Sequence, residues 1–589
     1  MFIARLDKLD KTELRSNNQI SKKIYNFAKI FKGAMKFGNT FYITTILFVA
    51  LLFSQQYAFP QAPTAYAIVF TDKPHYEQYY SSSFLSPRAI ANRERLNIPI
   101  TKEDYPIDTS YIATVLKQDT TIKLLTQSKW MNYIVISCNS SALTSIGLLP
   151  FVKEISSLHT INYKGLVSDK NFQEIVPRQI NVPTSSNELS VDTAYYGVMY
   201  QQIKFHNGHY LHHAGYKGEG MLIALLDAGY EHVNSFPIFE PLRTENRLVG
   251  YYDFVQERNN MFSGNSHGMS VLSLMGGKIP YTAVGTAPNA DYILMKTEAN
   301  SYEEILEEYF LVAGLECADS LGVDVVNISL GYSEFDTKST NHTFSDLDGL
   351  HSVASIAAGL AVKKGMLISN SAGNEGDKKW HYVTIPSDGY NVLSIAAVNT
   401  DRQLAGFSSR GSTLFDRTKP SLASVGFRTY AQKGNGTIGQ GNGTSYSSPV
   451  NAGLMACLRQ AFPDVSNFMI LEAILQSCDR YHSPDTLTGY GVPDYWLAYR
   501  ILEASQPDAE DIIINVYPNP VHDILTIRAY YPYNITKINI ANVFGQLVYS
   551  SSYKKSDSIE IDFSSFGSGI YVLQIYTPMG LAIKKIIKL

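Results

Sequence analysis

Five short runs in the middle of the chain are apolar almost from end to end: 222–226, 292–295, 323–328, 366–370 and 392–398. A strand with one solvated face alternates apolar and polar residues, whereas a strand covered on both faces reads as a continuous apolar run. Helix-forming stretches at 269–275, 301–321, 353–364 and 449–462 separate the runs. Strands alternating with helices predict an α/β domain with a mostly parallel central sheet over about 195–504. Nothing in the segments on either side continues this pattern.

Residues 61–187 hold a strand-like run at 66–70, a helix around 87–95, the apolar stretch 130–136, a helix near 142–149 and another apolar run at 151–155. Strand, helix and strand in that order predict a small α+β unit. Trp130 and its apolar neighbours read as core of that unit rather than as a ligand platform. After a polar linker at 505–511, residues 512–589 change texture. Ile559 to Phe563 alternates with period two, Tyr571 to Tyr576 reads as a second strand, and Gly545, Gly567 and Gly569 mark turns, so the expectation is an all-β sandwich. No tandem repeat or low-complexity tract is present.

The apolar run Phe41–Phe53 is too short to span a bilayer, which takes ~20 residues, and has the length of a signal-peptide core. Met35-Lys36 reads as the start of such a signal, covering 35–58. Residues 1–34 are then an extra lead, read as a start-site error or as a long basic n-region or tethered N-terminus. A net charge of −4, with Lys and Arg dispersed, carries no nucleic-acid footprint. The four cysteines, Cys138, Cys317, Cys457 and Cys478, show no metal-ligand spacing. Buried free thiols are the first reading, and a Cys457–Cys478 pair the second.

Reactive side chains stand beside glycine at three places. Asp227 follows the first apolar run in Leu225-Leu226-Asp227-Ala228-Gly229. His267 precedes a helix in Ser266-His267-Gly268, and Ser445 sits in the turn Gly443-Thr444-Ser445 before another. Ligands of parallel sheets bind at the carboxyl ends of strands, so all three can meet at one edge. A serine hydroxyl is a weak nucleophile until a base takes its proton; imidazole does this near neutrality, with a carboxylate to orient it. In Ser371-Ala372-Gly373-Asn374-Glu375-Gly376, the Asn374 amide is placed to donate to an oxyanion.

With these motifs the middle of the chain resembles the subtilase family of serine peptidases. The likeness runs from Gly218 to Leu497 through IALLDAGY (223–230), SHG (266–268), GTAPNADYILMKTE (285–298), GVDVVNISLGY (322–332), SAGNEG (371–376), GFSSRGS (406–412), KPSLASVG (419–426) and GTSYSSPVNAG (443–453). The resemblance implies a subtilisin-like fold and a secreted serine endopeptidase. Asp227, His267 and Ser445 would form its triad, with Asn374 and the Ser445 backbone N–H as its oxyanion hole. It also implies that Ser329, Leu330 and Gly331 pair with the substrate backbone, and that Ala372 and Gly373 line the pocket for the side chain before the scissile bond. Ala228 stands where the family usually has Ser or Thr, and Met269-Ser270 where it often has Thr-His.

FLSPRAIANR (84–93) and SKWMNYIVIS (128–137) resemble subtilase prosegments, which implies folding assistance, inhibition, a C-terminal end lying in the substrate groove and a cut between about Ser157 and Asn187. VYPNPVHDILTI (516–527), VFGQLVY (543–549), GIYVLQI (569–575) and IKKIIKL (583–589) resemble the type A C-terminal sorting domain of the type IX secretion system of Bacteroidetes. The implied partners are protein or peptide substrates and a secretion machinery, with no nucleic acid, and the implied location is secreted or on the outer-membrane surface. No cofactor is required for the chemistry. The family often binds structural calcium, but no Asp-rich loop here locates a site, and the sequence leaves the oligomeric state open. His206, His209, His212 and His213 admit a metal site or, as the plainer reading, a wet helix at the domain edge. Two rival functions remain at this stage. An exopeptidase would need an insertion blocking the groove, and none is visible. A catalytically silent adhesin would keep the scaffold without turnover.

Overall fold

The computed structural model describes residues 64–160, 170–172, 192–255, 261–413, 417–504, 514–529, 535–543, 545–556, 558–577 and 580–589. The signal-peptide reading, the linker and most of the expected prosegment cut region lie outside them.

The first unit is a four-stranded antiparallel sheet of β1 (Thr64–Phe70), β2 (Lys123–Ser128), β3 (Tyr133–Cys138) and β4 (Val152–Thr160), in the order β2-β3-β1-β4. Side chains on successive residues of a strand point to opposite faces. Tyr66, Ile68 and Phe70 accordingly join Ile134 and Ile136 in the unit's own core. Ala65 and Ala67, with Tyr133 and Val135, face the other way into the large core of the middle domain. Trp130 belongs to this second cluster, so it seals the contact between the units rather than filling the prosegment core as the sequence suggested. Its position in the tight turn between β2 and β3, next to Asn132 with φ 55°, explains the difference.

That turn docks on the helix Leu306–Leu321. Glu316, on the helix, is buried and accepts hydrogen bonds from the Ser128 hydroxyl and from the backbone N–H groups of Lys129 (2.9 Å) and Trp130 (3.0 Å). Burial pushes the Glu316 carboxyl above its usual value, against the donors that favour its charge. Nearby, the buried Arg93 bridges Asp104 (2.9 Å) and Asp319 (2.7 Å), and Lys364 reaches Asp104 at 2.8 Å. Arg88 pairs with Asp324.

The middle domain is built on β5 (Lys170–Phe172), β6 (Leu222–Asp227), β7 (Leu248–Asp253), the short pair β8 (Lys278–Ile279) and β9 (Ala283–Val284), β10 (Asp291–Lys296), β11 (Val325–Ile328), β12 (Leu367–Ser371), β13 (Leu393–Val398) and β14 (Leu422–Val425). Its main sheet runs β14-β13-β12-β11-β6-β10-β7-β5. The first seven strands are parallel, and β5 adds antiparallel at the outer edge, Lys170–Phe172 pairing with Gly250–Tyr252 of β7. These three described residues of the prosegment's tail therefore lie on β7. The stretches on either side of them, where the groove was expected, fall outside the described residues.

The five apolar runs are all strands of this sheet. Three further strands, β5, β7 and β14, were missed: β5 is three residues of mostly polar sequence, β7 mixes Tyr and Gly into LVGYYD, and β14, LASV, has no apolar run longer than two residues. The helix Thr444–Ala461 begins five residues before Pro449, although the proline suggested a start there. Proline lacks the N–H that would bond to the carbonyl four residues back. The freed Ser445 carbonyl instead accepts the Ser329 hydroxyl at 3.2 Å, so the proline is tolerated inside the helix.

The last unit has two sheets, one of Ile514–Tyr517, Ile524–Ala529 and Ser558–Asp562, the other of Ile535–Asn542, Leu547–Ser556, Gly569–Thr577 and Gly580–Lys588. They share one apolar cluster containing Leu525, Ile527, Ile538, Ile540, Leu573 and Ile575, as a sandwich requires.

Candidate active site

The carboxyl ends of the central strands gather the predicted residues. Asp227 is the last residue of β6, Ser329–Gly331 follow β11, and Ala372–Asn374 follow β12. His267 opens the helix His267–Gly276, where its N–H is bonded to Asn265 Oδ1 at 2.8 Å. This helix packs against the helix Thr444–Ala461, whose first turn carries Ser445.

His267 Nδ1 lies 2.7 Å from Asp227 Oδ1. The approach depends on Gly268. A Cβ there would stand 2.7 Å from the Gly229 carbonyl oxygen and 2.9 Å from Asp227 Cβ, closer than real Cβ atoms come. Asp227 is fully buried; its Oδ1 also accepts the Ala228 N–H at 2.8 Å, while Oδ2 is buried without a hydrogen-bond partner. A carboxylate bonded at Nδ1 puts the neutral-ring proton there and leaves Nε2 as the basic nitrogen. Burial acts to lower the His267 pKa. The Asp227 charge and hydrogen bond, with a smaller contribution from Glu298, outweigh it and hold His267 above its ordinary value.

Ser445 follows Gly443, whose φ of 151° lies in the region that favours glycine. Asn374 is anchored to the same turn: its Oδ1 accepts the Thr444 N–H at 2.9 Å and the Thr444 hydroxyl at 3.1 Å. Asn374 is exposed, with its Oδ1 held on the residue that precedes Ser445 in the first turn of the helix. Gly373 N–H bonds to Thr444 Oγ1 at 3.2 Å, tying the Ala372–Gly373 segment to the serine turn.

The substrate-binding expectation divides. Gly331 is exposed, whereas Ser329 and Leu330 are buried. Asn370 Nδ2 donates to the Leu330 carbonyl at 3.1 Å, so that oxygen is already engaged.

Glu298 is a neighbour of the site that the sequence reading did not single out. It closes the run GTAPNADYILMKTE (285–298), two residues past β10. Burial pushes its carboxyl up to about 8, helped by Glu303 and Asp227 and opposed by His267. Burial beside Asp336 also raises Glu303, to about 7. Glu298 is thus an acid near the imidazole whose charge burial opposes, with Glu303 acting on it in turn.

The histidine group is neither a metal site nor wet. His206 and His212 are buried and use both ring nitrogens, His206 with the Pro493 carbonyl and Ser424 hydroxyl, His212 with Tyr196 and the Thr286 carbonyl. His209 is buried too, and only His213 is exposed. Among the described residues, no group of three or more His, Cys, Asp or Glu side chains is placed to hold a metal ion, and no calcium site is located. All four cysteines are free thiols; Cys457 and Cys478 donate weakly to the Thr286 and Ile474 carbonyls rather than pairing.

Comparison with known families identifies the domains one by one. Residues 218–491 match the model of the subtilase family. The chain carries a subtilase domain. Residues 65–174 match the peptidase S8 propeptide domain of Bacteroidota, and 515–589 the secretion system C-terminal sorting domain, which marks the chain for export to the outer surface or beyond. The minor extracellular protease Epr of Bacillus subtilis is 26% identical over 53% of this chain and 44% of its own length. Subtilisin E of the same organism is 28% identical over 45% of this chain and 62% of its own. The chain thus spans about half to two thirds of these relatives. The structure of fervidolysin from Fervidobacterium pennivorans aligns over 90% of this chain and 77% of its own, at 14% identity and a TM-score of 0.48.

Proposed function

We propose that the protein is a secreted serine endopeptidase that hydrolyses peptide bonds in proteins through an acyl-enzyme, and that it is made as a precursor which processes itself. The observation that carries this reading is the 2.7 Å contact between His267 Nδ1 and the buried Asp227, on a helix packed against the one that presents Ser445. His267 Nε2 takes the Ser445 proton as the hydroxyl oxygen attacks the carbonyl carbon. The Asn374 amide and the Ser445 N–H receive the charge on the carbonyl oxygen. His267 then gives the proton to the leaving amine, and a water, deprotonated by the same ring, releases the acyl group.

In this reading residues 35–58 are a signal peptide, 61–187 a removable prosegment, 195–504 the peptidase and 512–589 a sorting domain that engages a secretion machinery. The Glu316 and Arg93 contacts hold the prosegment on the peptidase until it is cut. The chemistry needs no cofactor.

The test follows purified residues 61–589, wild type and Ser445→Ala, by intact mass and casein turnover. Self-shortening and casein cleavage in the wild type alone support the proposal. A folded wild type that stays full length and inert, like the variant, overturns it in favour of a silent surface-binding protein.

A further inference from the structure

Each sheet of the last unit ends in an edge strand, and two of these edges face one cleft. Ile514–Tyr517 is laddered only to Ile524–Ala529, and Gly580–Lys588 only to Gly569–Thr577. The cleft between them measures about 460 Å³, within the usual range of ligand sites. Apart from Ile514 and Asn515, its lining residues are Val516, Tyr517, Asn519, Lys584, Lys585 and Ile586. All six belong to the two segments 516–527 and 583–589 that carry the likeness to sorting domains. Segments far apart in sequence thus wall one space.

In an antiparallel ladder the N–H and C=O of one residue point to the same side, and successive residues alternate sides. Along the last part of Gly580–Lys588 the outward groups are taken. The Asn519 amide donates to the Lys585 carbonyl at 2.8 Å, and its oxygen accepts the Ile587 N–H at 2.8 Å. The Val521 N–H donates to the Ile587 carbonyl at 2.8 Å, and the Leu589 N–H to the Val521 carbonyl at 3.0 Å. Ile583 shares the outward phase of Lys585 and Ile587, and among the described residues no strand pairs with it on that side. The loop 518–521 therefore closes one end of the edge and leaves the rest open where the cleft lies. An unpaired edge is a template for another strand. Lys585 is exposed, and no carboxylate lines the cleft to balance it.

We infer that an extended, acidic segment of a secretion-machinery protein adds as a strand to the Ile583–Lys585 edge, inside this cleft, with its carboxylates against Lys585. The inference rests on the sorting role proposed above for 512–589. Main-chain hydrogen bonds along the edge supply the affinity of such an addition, and side-chain contacts its selectivity. Here the positive wall selects an acidic partner over a basic one. The two motif segments divide the work: 583–589 offers the edge, and 516–527 closes its end through Asn519 and Val521 and supplies the facing wall.

The experiment uses the full chain with Ser445→Ala, which takes self-processing out of the readout, in a Bacteroidota cell with an intact type IX system. It measures the ratio of chain outside the cell to chain retained in the periplasm. Hydrogen exchange of Ile535–Asn542 and Gly569–Thr577 checks the fold of every variant. Ile583→Pro removes the outward N–H and sets a ring on the edge, a place where a strand tolerates proline. It should lower the ratio by about tenfold or more, and Lys585→Glu should do the same. Ile583→Thr and Lys585→Arg should export like the parent. So should Lys537→Glu, a charge reversal at an exposed strand position outside the cleft. If Ile583→Pro loses protection, Asn515→Trp, which fills the cleft from the facing wall, carries the same test. A folded Ile583→Pro or Asn515→Trp chain exported like the parent overturns the inference. Loss in Lys585→Glu alone points to an anionic lipid or polysaccharide and overturns strand addition as well. Deletion of 512–589 separates the two readings. A deleted chain that is still exported overturns the sorting role itself. A deleted chain that is retained, beside freely exported cleft variants, overturns the inference alone.

Discussion

Replacing Glu316 by alanine should loosen the prosegment without touching the catalytic groups. Glu316 Oε1 accepts from the Ser128 hydroxyl and the Trp130 N–H, and Oε2 from the Lys129 N–H. Hydrogen bonds to a charged acceptor contribute about 1.5–3 kcal/mol each, and the carboxylate loses part of that gain to its own burial. Its removal leaves the Ser128 hydroxyl and two backbone N–H groups without their acceptor, at about 1–3 kcal/mol for each that stays buried. Taking ~4 kcal/mol, the equilibrium for lifting the prosegment off the helix Leu306–Leu321 should rise about 1,000-fold. The assay is hydrogen exchange of the β1–β4 amides in the full chain carrying Ser445→Ala, which keeps the prosegment attached. Glu316→Ala should lower protection across these strands together, and Glu316→Gln, which keeps one acceptor oxygen, should cost about 1–2 kcal/mol. Unchanged protection of β1–β4 in Glu316→Ala would refute the reasoning, since the docking turn would then be held without its acceptor.

Asn374→Ala should lower kcat by about 100- to 1,000-fold with little change in KM, because the Nδ2 donor acts on charge that exists only in the transition state. Asn374→Asp, which keeps an oxygen acceptor for Thr444, should lose as much; near-normal kcat in either would count against the oxyanion role. Glu298→Gln reports on stability. A carboxyl at about 8 in the folded chain and near its ordinary value unfolded penalises the fold increasingly as pH rises between the two, and not below them. Glu298→Gln should therefore match wild type in Tm at pH ~4 and exceed it at pH ~9; the reverse order would show that Glu298 is not buried at the site.

The sheet was legible because β6, β10, β11, β12 and β13 are buried on both faces and their sequences say so. The triad was legible because turn chemistry pins it: Gly268 is where the His267 helix closes on Asp227, and Gly443 is where the chain enters the serine helix. Ser424 interrupts the apolar residues of β14, and the tyrosines of β7 broke the apolar pattern. Pro449 misled because its lost hydrogen bond is compensated by Ser329, more than a hundred residues away. The prosegment interface was illegible for the same reason. Arg93 meets Asp319 and Trp130 meets Glu316 across large sequence separations, and Trp130 read as core without revealing whose core it is. Glu298 ends the run 285–298 without any pattern that marks it as a site residue; only the fold places its carboxyl near His267.

The most direct test of the central claim is covalent labelling of the matured enzyme with a fluorophosphonate probe, mapped by mass spectrometry and followed against pH. The account predicts a single adduct on Ser445 that forms faster as pH rises through a His267 pKa above the ordinary histidine value, and that is lost in Ser445→Ala and strongly slowed in His267→Ala. A folded wild-type enzyme that takes up no label, or labels elsewhere with Ser445 untouched, would contradict it.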